Sequence, residues 1–159
     1  MNIWKMKKWQ EYYKDHPCRS GIRVRYEKEV DSEVKRAIKE CLYWLRTEYT
    51  FPKRIRLYVK AERRIRAQNG DNVCGTFFRP VDRDQEPYIK VATGDYLELL
   101  EERGKDNALA CILYTILHEL SHYFQWLNDL DLTLIGEERQ ATNYSRLLMR
   151  DYASTREHP

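Results

Sequence analysis

An almost entirely apolar stretch runs from Ala108 to Leu127, and its only histidine and carboxylate side chains belong to His118-Glu119-Leu120-Ser121-His122. Its length and composition predict a long helix, opened by Asp106 or Asn107 and largely buried. An unpaired cluster of ionisable groups inside a protein is strongly unfavourable. The fold that forms around this helix must therefore provide a partner for these side chains.

The spacing of the two histidines suits a metal ion. Residues four apart lie on one face of a helix with about 6 Å between their Cβ atoms, so both rings can reach one ion at roughly 2.0–2.1 Å. Glu119 is rotated about 100° from His118, which directs it toward a water on the ion rather than the ion itself. This pattern is typical of a general base beside a metal-activated nucleophile.

A catalytic zinc ion takes three protein ligands and keeps one open position. The sequence offers the third ligand on the last predicted helix, residues 137–153, where Glu138, Ala141, Ser145 and Leu148 share one face. The small residues Ala141 and Ser145 would let this helix lie close to the histidine helix. Glu137 is the alternative ligand, one register step away, and both carboxylates also complement the helix macrodipole.

The rest of the chain predicts an α+β fold. Residues 31–49 carry apolar residues at helical spacing, with Asp31 or Ser32 as the cap and Pro52 beyond the end. The period then changes to two, which predicts three strands joined in part by a hairpin loop at 80–87. The strands are expected at 55–60, 73–79 and 88–92, and a short helix at 95–103. We expect residues 1–30 to be an extended lead-in and residues 31–159 to form a single domain.

These motifs resemble those of the gluzincin metallopeptidases. HExxH on one helix and Glu138-x-x-Ala141 on the next is their pattern, and the layout is similar to minimal single-domain gluzincins and to small peptidases that cleave phage-type or stress-response repressors. Thr142 stands where many gluzincins carry Asp or Asn. The resemblance implies a zincin-like fold with one N-terminal helix, a small three-stranded sheet, a zinc helix and a glutamate helix. It also implies one zinc ion per chain, held by His118, His122 and Glu138. Glu119 would then act as the general base in the hydrolysis of peptide bonds.

A protein or peptide substrate of such an enzyme would add as a strand to an exposed sheet edge. The candidate edge is Gly75, Thr76 and Phe77, because the glycine leaves backbone accessible and the phenylalanine can border a subsite. An ordinary core strand explains the same residues equally well.

Further roles are less constrained by spacing. Asp129 or Asp131 is a candidate to orient a metal-bound imidazole, and Cys18 is a candidate thiolate for the open metal position. The candidates for stabilising the transition state are Tyr123, Tyr144, Tyr152 and His158.

Charge is distributed unevenly along the chain. Residues 1–66 carry 19 Lys and Arg against 9 Asp and Glu, whereas residues 67–159 carry 9 against 16. The basic half predicts a possible nucleic-acid surface, or simply a solvated one. Four separated cysteines, no apolar h-region and no long apolar span favour a cytoplasmic protein without a membrane segment. The alternative function is a catalytically silent zincin-like protein that regulates or binds, including one associated with nucleic acid.

Overall fold

The computed structural model describes residues 2–159, which form a mixed α+β fold of five helices and six strands. The helices are α1 (Trp9–Tyr13), α2 (Ser32–Glu48), α3 (Tyr96–Arg103), α4 (Lys105–Leu127) and α5 (Leu134–Ala153). The strands are β1 (Ile22–Tyr26), β2 (Ile55–Lys60), β3 (Ile65–Arg66), β4 (Asn72–Val73), β5 (Gly75–Phe78) and β6 (Tyr88–Ala92). The α+β class expected from the sequence is confirmed.

The main sheet has four strands in the order β1-β2-β6-β5, so the expected three-stranded sheet is wrong by one strand. β1, β2 and β6 are parallel, and β5 runs antiparallel to β6 at the edge. The loop at 80–87 joins β5 to β6 as predicted. The strand expected at 73–79 is divided, because β4 pairs with β3 in a separate small hairpin.

The additional strand comes from the segment expected to be an extended lead-in, residues 1–30. β1, α2 and β2 form a parallel β-α-β unit, a connection that needs a crossover helix. Ile3 and Trp4 are also buried in the core. The indole Nε1–H of Trp4 donates to Ser121 Oγ at 3.0 Å, in the middle of the histidine motif. The N-terminal segment therefore forms part of the domain core.

The core lies between one face of the sheet and helices α2 and α4. Alternate residues of β2 and β6, such as Leu57 and Ile89, are fully buried, because a strand places every second side chain on the same face. The apolar positions of α2, including Ile38 and Leu45, meet them. The opposite face of the sheet presents exposed side chains on β1 and β2, including Arg23, Arg25 and Arg56.

Helix boundaries follow local capping. Asp31 caps α2 by accepting a hydrogen bond from the Glu33 N–H at 2.8 Å, as predicted. α5 begins at Leu134, three residues before the expected start, because the Thr133 hydroxyl caps it by accepting from the Gly136 N–H at 3.0 Å. Within the described chain, even the 23-residue α4 does not combine the length and apolar character needed to cross a bilayer.

Candidate metal centre

The metal-binding candidates come together where α4 and α5 pack side by side. Ala141 and Ser145 are fully buried at this contact, as their small size predicted. The close approach brings the first turns of α5 alongside the middle of α4, where His118 and His122 lie one turn apart.

Glu138 contacts both histidines. Its Oε2 lies 3.1 Å from His118 Nε2 and its Oε1 lies 3.1 Å from His122 Nε2. The potential ligand atoms of all three residues lie within 4.8 Å of one another. Ligand atoms in a tetrahedral zinc site are about 3.3 Å apart, given bonds of roughly 2.0–2.1 Å. The residue types and their separations therefore fit one metal ion with small side-chain adjustments.

The three side chains of the site differ in their exposure to solvent. The Glu138 side chain is 64% exposed, whereas those of His118 and His122 are 18% and 9% exposed. An ion held here would therefore meet solvent on the side of the carboxylate. A catalytic metal needs such an opening for water and substrate.

The adjacent glutamate has a different partner. Glu137 is buried, and its Oε1 accepts from Arg79 Nη1 at 2.8 Å. The ion pair fixes Glu137 on the β5 side of the cleft, so Glu138 is the carboxylate that meets the imidazoles. The structure thus favours Glu138 over the alternative Glu137.

Glu119 is buried beside the candidate metal ligands, between α4 and β5. A Cβ atom added at Gly75 would lie 3.2 Å from Glu119 Cγ and 2.7 Å from Thr115 Cγ2. Burial, and then the nearby Glu138 carboxylate, raise the pKa of Glu119 to about 8. Its carboxyl group lines the same cleft as the histidines without contacting them, which is where a base acting on water would be needed.

The surroundings of His118 favour the neutral form of its imidazole. Burial, and then the neighbouring His122, lower the pKa of His118, while Glu138 opposes this shift. A neutral imidazole keeps a lone pair on one ring nitrogen, and only that form can act as a ligand.

A glutamine that sequence reasoning did not single out orients the second histidine. Gln125 is buried, and its Oε1 lies 2.8 Å from His122 Nδ1. Its Nε2 donates to the Glu137 carbonyl at 2.9 Å and to Gln140 Oε1 at 3.0 Å. This network leaves the Gln125 oxygen facing His122, so Nδ1 carries the hydrogen and Nε2 faces the metal position.

The aspartates expected to orient the imidazole lie elsewhere. Asp129 and Asp131 are exposed in the loop after α4, and the Asp129 carbonyl accepts from Lys8 Nζ at 3.3 Å. A residue three positions after His122 on the same helix reaches its ring more easily than a loop does. The i, i+3 spacing was the available signal for Gln125.

The predicted edge strand borders the site. β5 is the end strand of the sheet, and Gly75, Thr76 and Phe77 line a cleft of about 600 Å³ with the candidate metal ligands. Tyr114 lines the same cleft, one turn before His118. Its spacing of four residues from His118 could have identified it.

The other residues suggested from the sequence have separate structural roles. The Tyr123 hydroxyl donates to the Lys53 carbonyl at 2.6 Å in the core, and Tyr152 is buried against Trp44. The Tyr144 hydroxyl accepts from the Ile3 N–H at 3.4 Å, and His158 pairs with Asp106 at 2.8 Å.

Cys18 is also separate from the candidate metal centre. Its thiol donates to the Pro52 carbonyl at 3.3 Å, so it does not occupy the open metal position. The cysteine that lines the cleft is Cys74, at the bend before β5.

The donor set and its geometry are the basis for any assignment of this site. No protein-family model, curated protein or solved structure matches this chain.

Proposed function

We propose that this chain is a zinc-dependent endopeptidase with a zincin-like fold. The observation that carries the proposal is the placement of Glu138 at 3.1 Å from both imidazoles of an HExxH helix. Two neutral imidazoles and one carboxylate form a common ligand set of catalytic zinc. Glu119 is buried beside them. Because it is not needed as a metal ligand, it is available to act as a general base.

The chemistry divides between the ion and the side chains. Zinc held by His118, His122 and Glu138 would lower the pKa of a water to about 7 and polarise the substrate carbonyl. Glu119, in its ionised form, takes a proton from the attacking water as the water oxygen adds to the carbonyl carbon. It then delivers that proton to the amide nitrogen as the carbon–nitrogen bond breaks.

The cleft supports an extended peptide as substrate. β5 has a free edge on the side of the cleft, so a peptide can pair with its backbone as a further strand. Leu134 lines the cleft and is 82% exposed, and Ile135 next to it is 66% exposed. These apolar side chains favour a substrate with an apolar residue near the scissile bond. The four free thiols are consistent with the proposed cytoplasmic location.

The Glu119→Gln variant tests the mechanism. Glutamine keeps the size of the side chain but cannot accept the proton, so zinc content should stay at the wild-type level while cleavage of an unfolded reporter protein is lost. Glu101→Gln, an exposed change on α3, is the matched control and should cleave normally. Cleavage by Glu119→Gln at the wild-type rate would contradict the mechanism. A zinc-loaded wild type that cleaves no reporter would favour a silent binding protein.

A further inference from the structure

The face of the main sheet turned away from α4 carries basic and aromatic side chains in two rows. Paired positions on neighbouring strands place Arg23, Arg56, Tyr88 and Phe78 in one row. The second row consists of Arg25, Tyr58, Lys90 and Thr76. We call these eight residues the open sheet face, because their inward neighbours are the ones that fill the core.

The charges on this face are only partly balanced. Glu86 pairs with Arg19 at 2.8 Å and with Arg56 at 3.5 Å. The outward positions of the four strands themselves carry no carboxylate. Within residues 2–159, Arg23, Arg25 and Lys90 have no ion-pair partner. An anionic ligand would therefore meet three free cations, two on β1 and one on β6.

The aromatic rings on this face are half-buried rather than covered. Phe78 and Tyr88 stack with ring centroids 4.7 Å apart, and Tyr58 meets Tyr88 edge to face at 5.9 Å. Lys90 Nζ lies 5.7 Å from the centre of the Tyr88 ring. Rings on the solvent side of a sheet add little to the core, but they provide surfaces on which flat ligands can stack.

We propose that the open sheet face binds single-stranded nucleic acid. Arg23 and Arg25 on β1 and Lys90 on β6 contact phosphates, and the rings of Tyr58, Tyr88 and Phe78 stack with bases. Stacking platforms flanked by cations bind single strands because every base has an aromatic face.

The rings distinguish this ligand from other polyanions. A duplex keeps its bases stacked inside, and an acidic protein surface would use the arginines without using the rings. Four strands at about 4.8 Å spacing give a platform roughly 14 Å wide.

The face is independent of the proposed peptidase function. The candidate metal centre lies on the α4 side of the sheet and the open sheet face on the other, and of the eight residues of that face Thr76, on the edge strand β5, also borders the cleft. The charge of the N-terminal half predicted a basic surface; the structure adds Tyr88, Lys90 and Phe78 from the later part of the chain. Binding should therefore persist after metal removal and in Glu119→Gln.

Binding of a fluorescent 12-nucleotide oligothymidine to the full chain, measured by anisotropy at about 50 and 200 mM salt, tests the proposal. Arg23→Glu with Arg25→Glu should weaken binding about tenfold or more at low salt. The log–log salt slope should become shallower by about 1.4, or roughly 0.7 per lost phosphate contact. The matched control is Arg146→Glu with Arg150→Glu, an equal charge change at exposed positions of α5, which should weaken binding less than threefold.

A second pair of variants tests the rings without changing charge. Phe78→Thr with Tyr88→Thr keeps residues that favour strands and should weaken binding about tenfold. Tyr43→Thr, at a tyrosine of α2 that is 72% exposed, is the control and should bind normally. If the double variant does not fold, Tyr58→Thr gives the same test with the Phe78–Tyr88 stack intact.

Several results would overturn the proposal. These are no binding at low salt, a duplex of the same length that binds at least as tightly, or a polyglutamate peptide that binds as well as the oligonucleotide. Equal losses in the two charge-reversal variants would also overturn it, because they would indicate only a general effect of net charge. Ring substitutions with no effect would exclude stacking.

Discussion

Gln125 holds His122 through a 2.8 Å hydrogen bond between Gln125 Oε1 and His122 Nδ1. Because its amide nitrogen also donates to the Glu137 carbonyl, the same side chain connects the histidine helix to the helix that carries Glu138. The buried side-chain amide of Gln125 therefore orients His122 and positions the backbone next to Glu138.

Gln125→Leu should weaken zinc binding about 10- to 100-fold, as is usual when a residue that orients a ligand is lost. The variant leaves buried His122 Nδ1 without a partner and removes the side-chain donor to the Glu137 carbonyl, so it should also lose about 1–3 kcal/mol of unfolding free energy. Competition with a chromogenic chelator measures the first effect and urea unfolding the second.

Gln125→Glu separates the two roles of this side chain. It restores an acceptor for His122 Nδ1, so zinc affinity should recover toward the wild-type value. The glutamate also places an acceptor oxygen opposite the Glu137 carbonyl, where Gln125 had a donor. The free energy of unfolding should therefore not recover. Wild-type zinc affinity in Gln125→Leu would show that the hydrogen bond does not position the ligand.

Gly75→Ala should lower kcat/KM about tenfold without changing zinc content. The new Cβ would lie 2.7 Å from Thr115 Cγ2 and 3.2 Å from Glu119 Cγ, so β5 or the base must move, and a small misplacement of a catalytic group can cost a large factor in rate. Thr115→Ser removes the clashing methyl group but keeps the hydroxyl that donates to the Cys111 carbonyl. Gly75→Ala combined with Thr115→Ser should regain activity; full activity in Gly75→Ala alone would disprove the steric argument.

Zinc should stabilise the fold, because its proposed ligands come from two helices. Binding to the native state alone adds about 4 kcal/mol at a concentration 1,000 times Kd, which corresponds to a rise in Tm of roughly 10 °C for a chain of this size. Thermal unfolding with chelator and with saturating zinc measures this shift. Glu138→Ala should show a much smaller rise, and an unchanged wild-type Tm would argue against a site between α4 and α5.

The strongly periodic parts of the fold could be predicted from the sequence. α2 and the long α4 follow from apolar residues at helical spacing, and β2 and β6 follow from alternation. β1 was missed because Ile22–Tyr26 directly follows a breaker-rich segment. Its partner β2 lies beyond α2, and no local pattern specifies such a distant pairing.

The same distinction applies to the candidate site. His118, Glu119 and His122 are local in sequence, so their spacing revealed them. Which of the two glutamates, Glu137 or Glu138, meets the imidazoles depends on Arg79. Arg79 is 58 residues away from Glu137 in the sequence and pairs with it in the folded chain. Trp4 contacts Ser121 across 117 residues, a relationship that only the folded chain contains.

Metal analysis of the purified, zinc-reconstituted wild type beside Glu138→Ala and Glu137→Ala tests the central claim most directly. Wild type and Glu137→Ala should each hold about one zinc per chain, since Glu137 is tied to Arg79, and Glu138→Ala should lose most of its zinc. Full occupancy in Glu138→Ala would place the third ligand elsewhere. A wild type that binds no zinc would contradict the account as a whole.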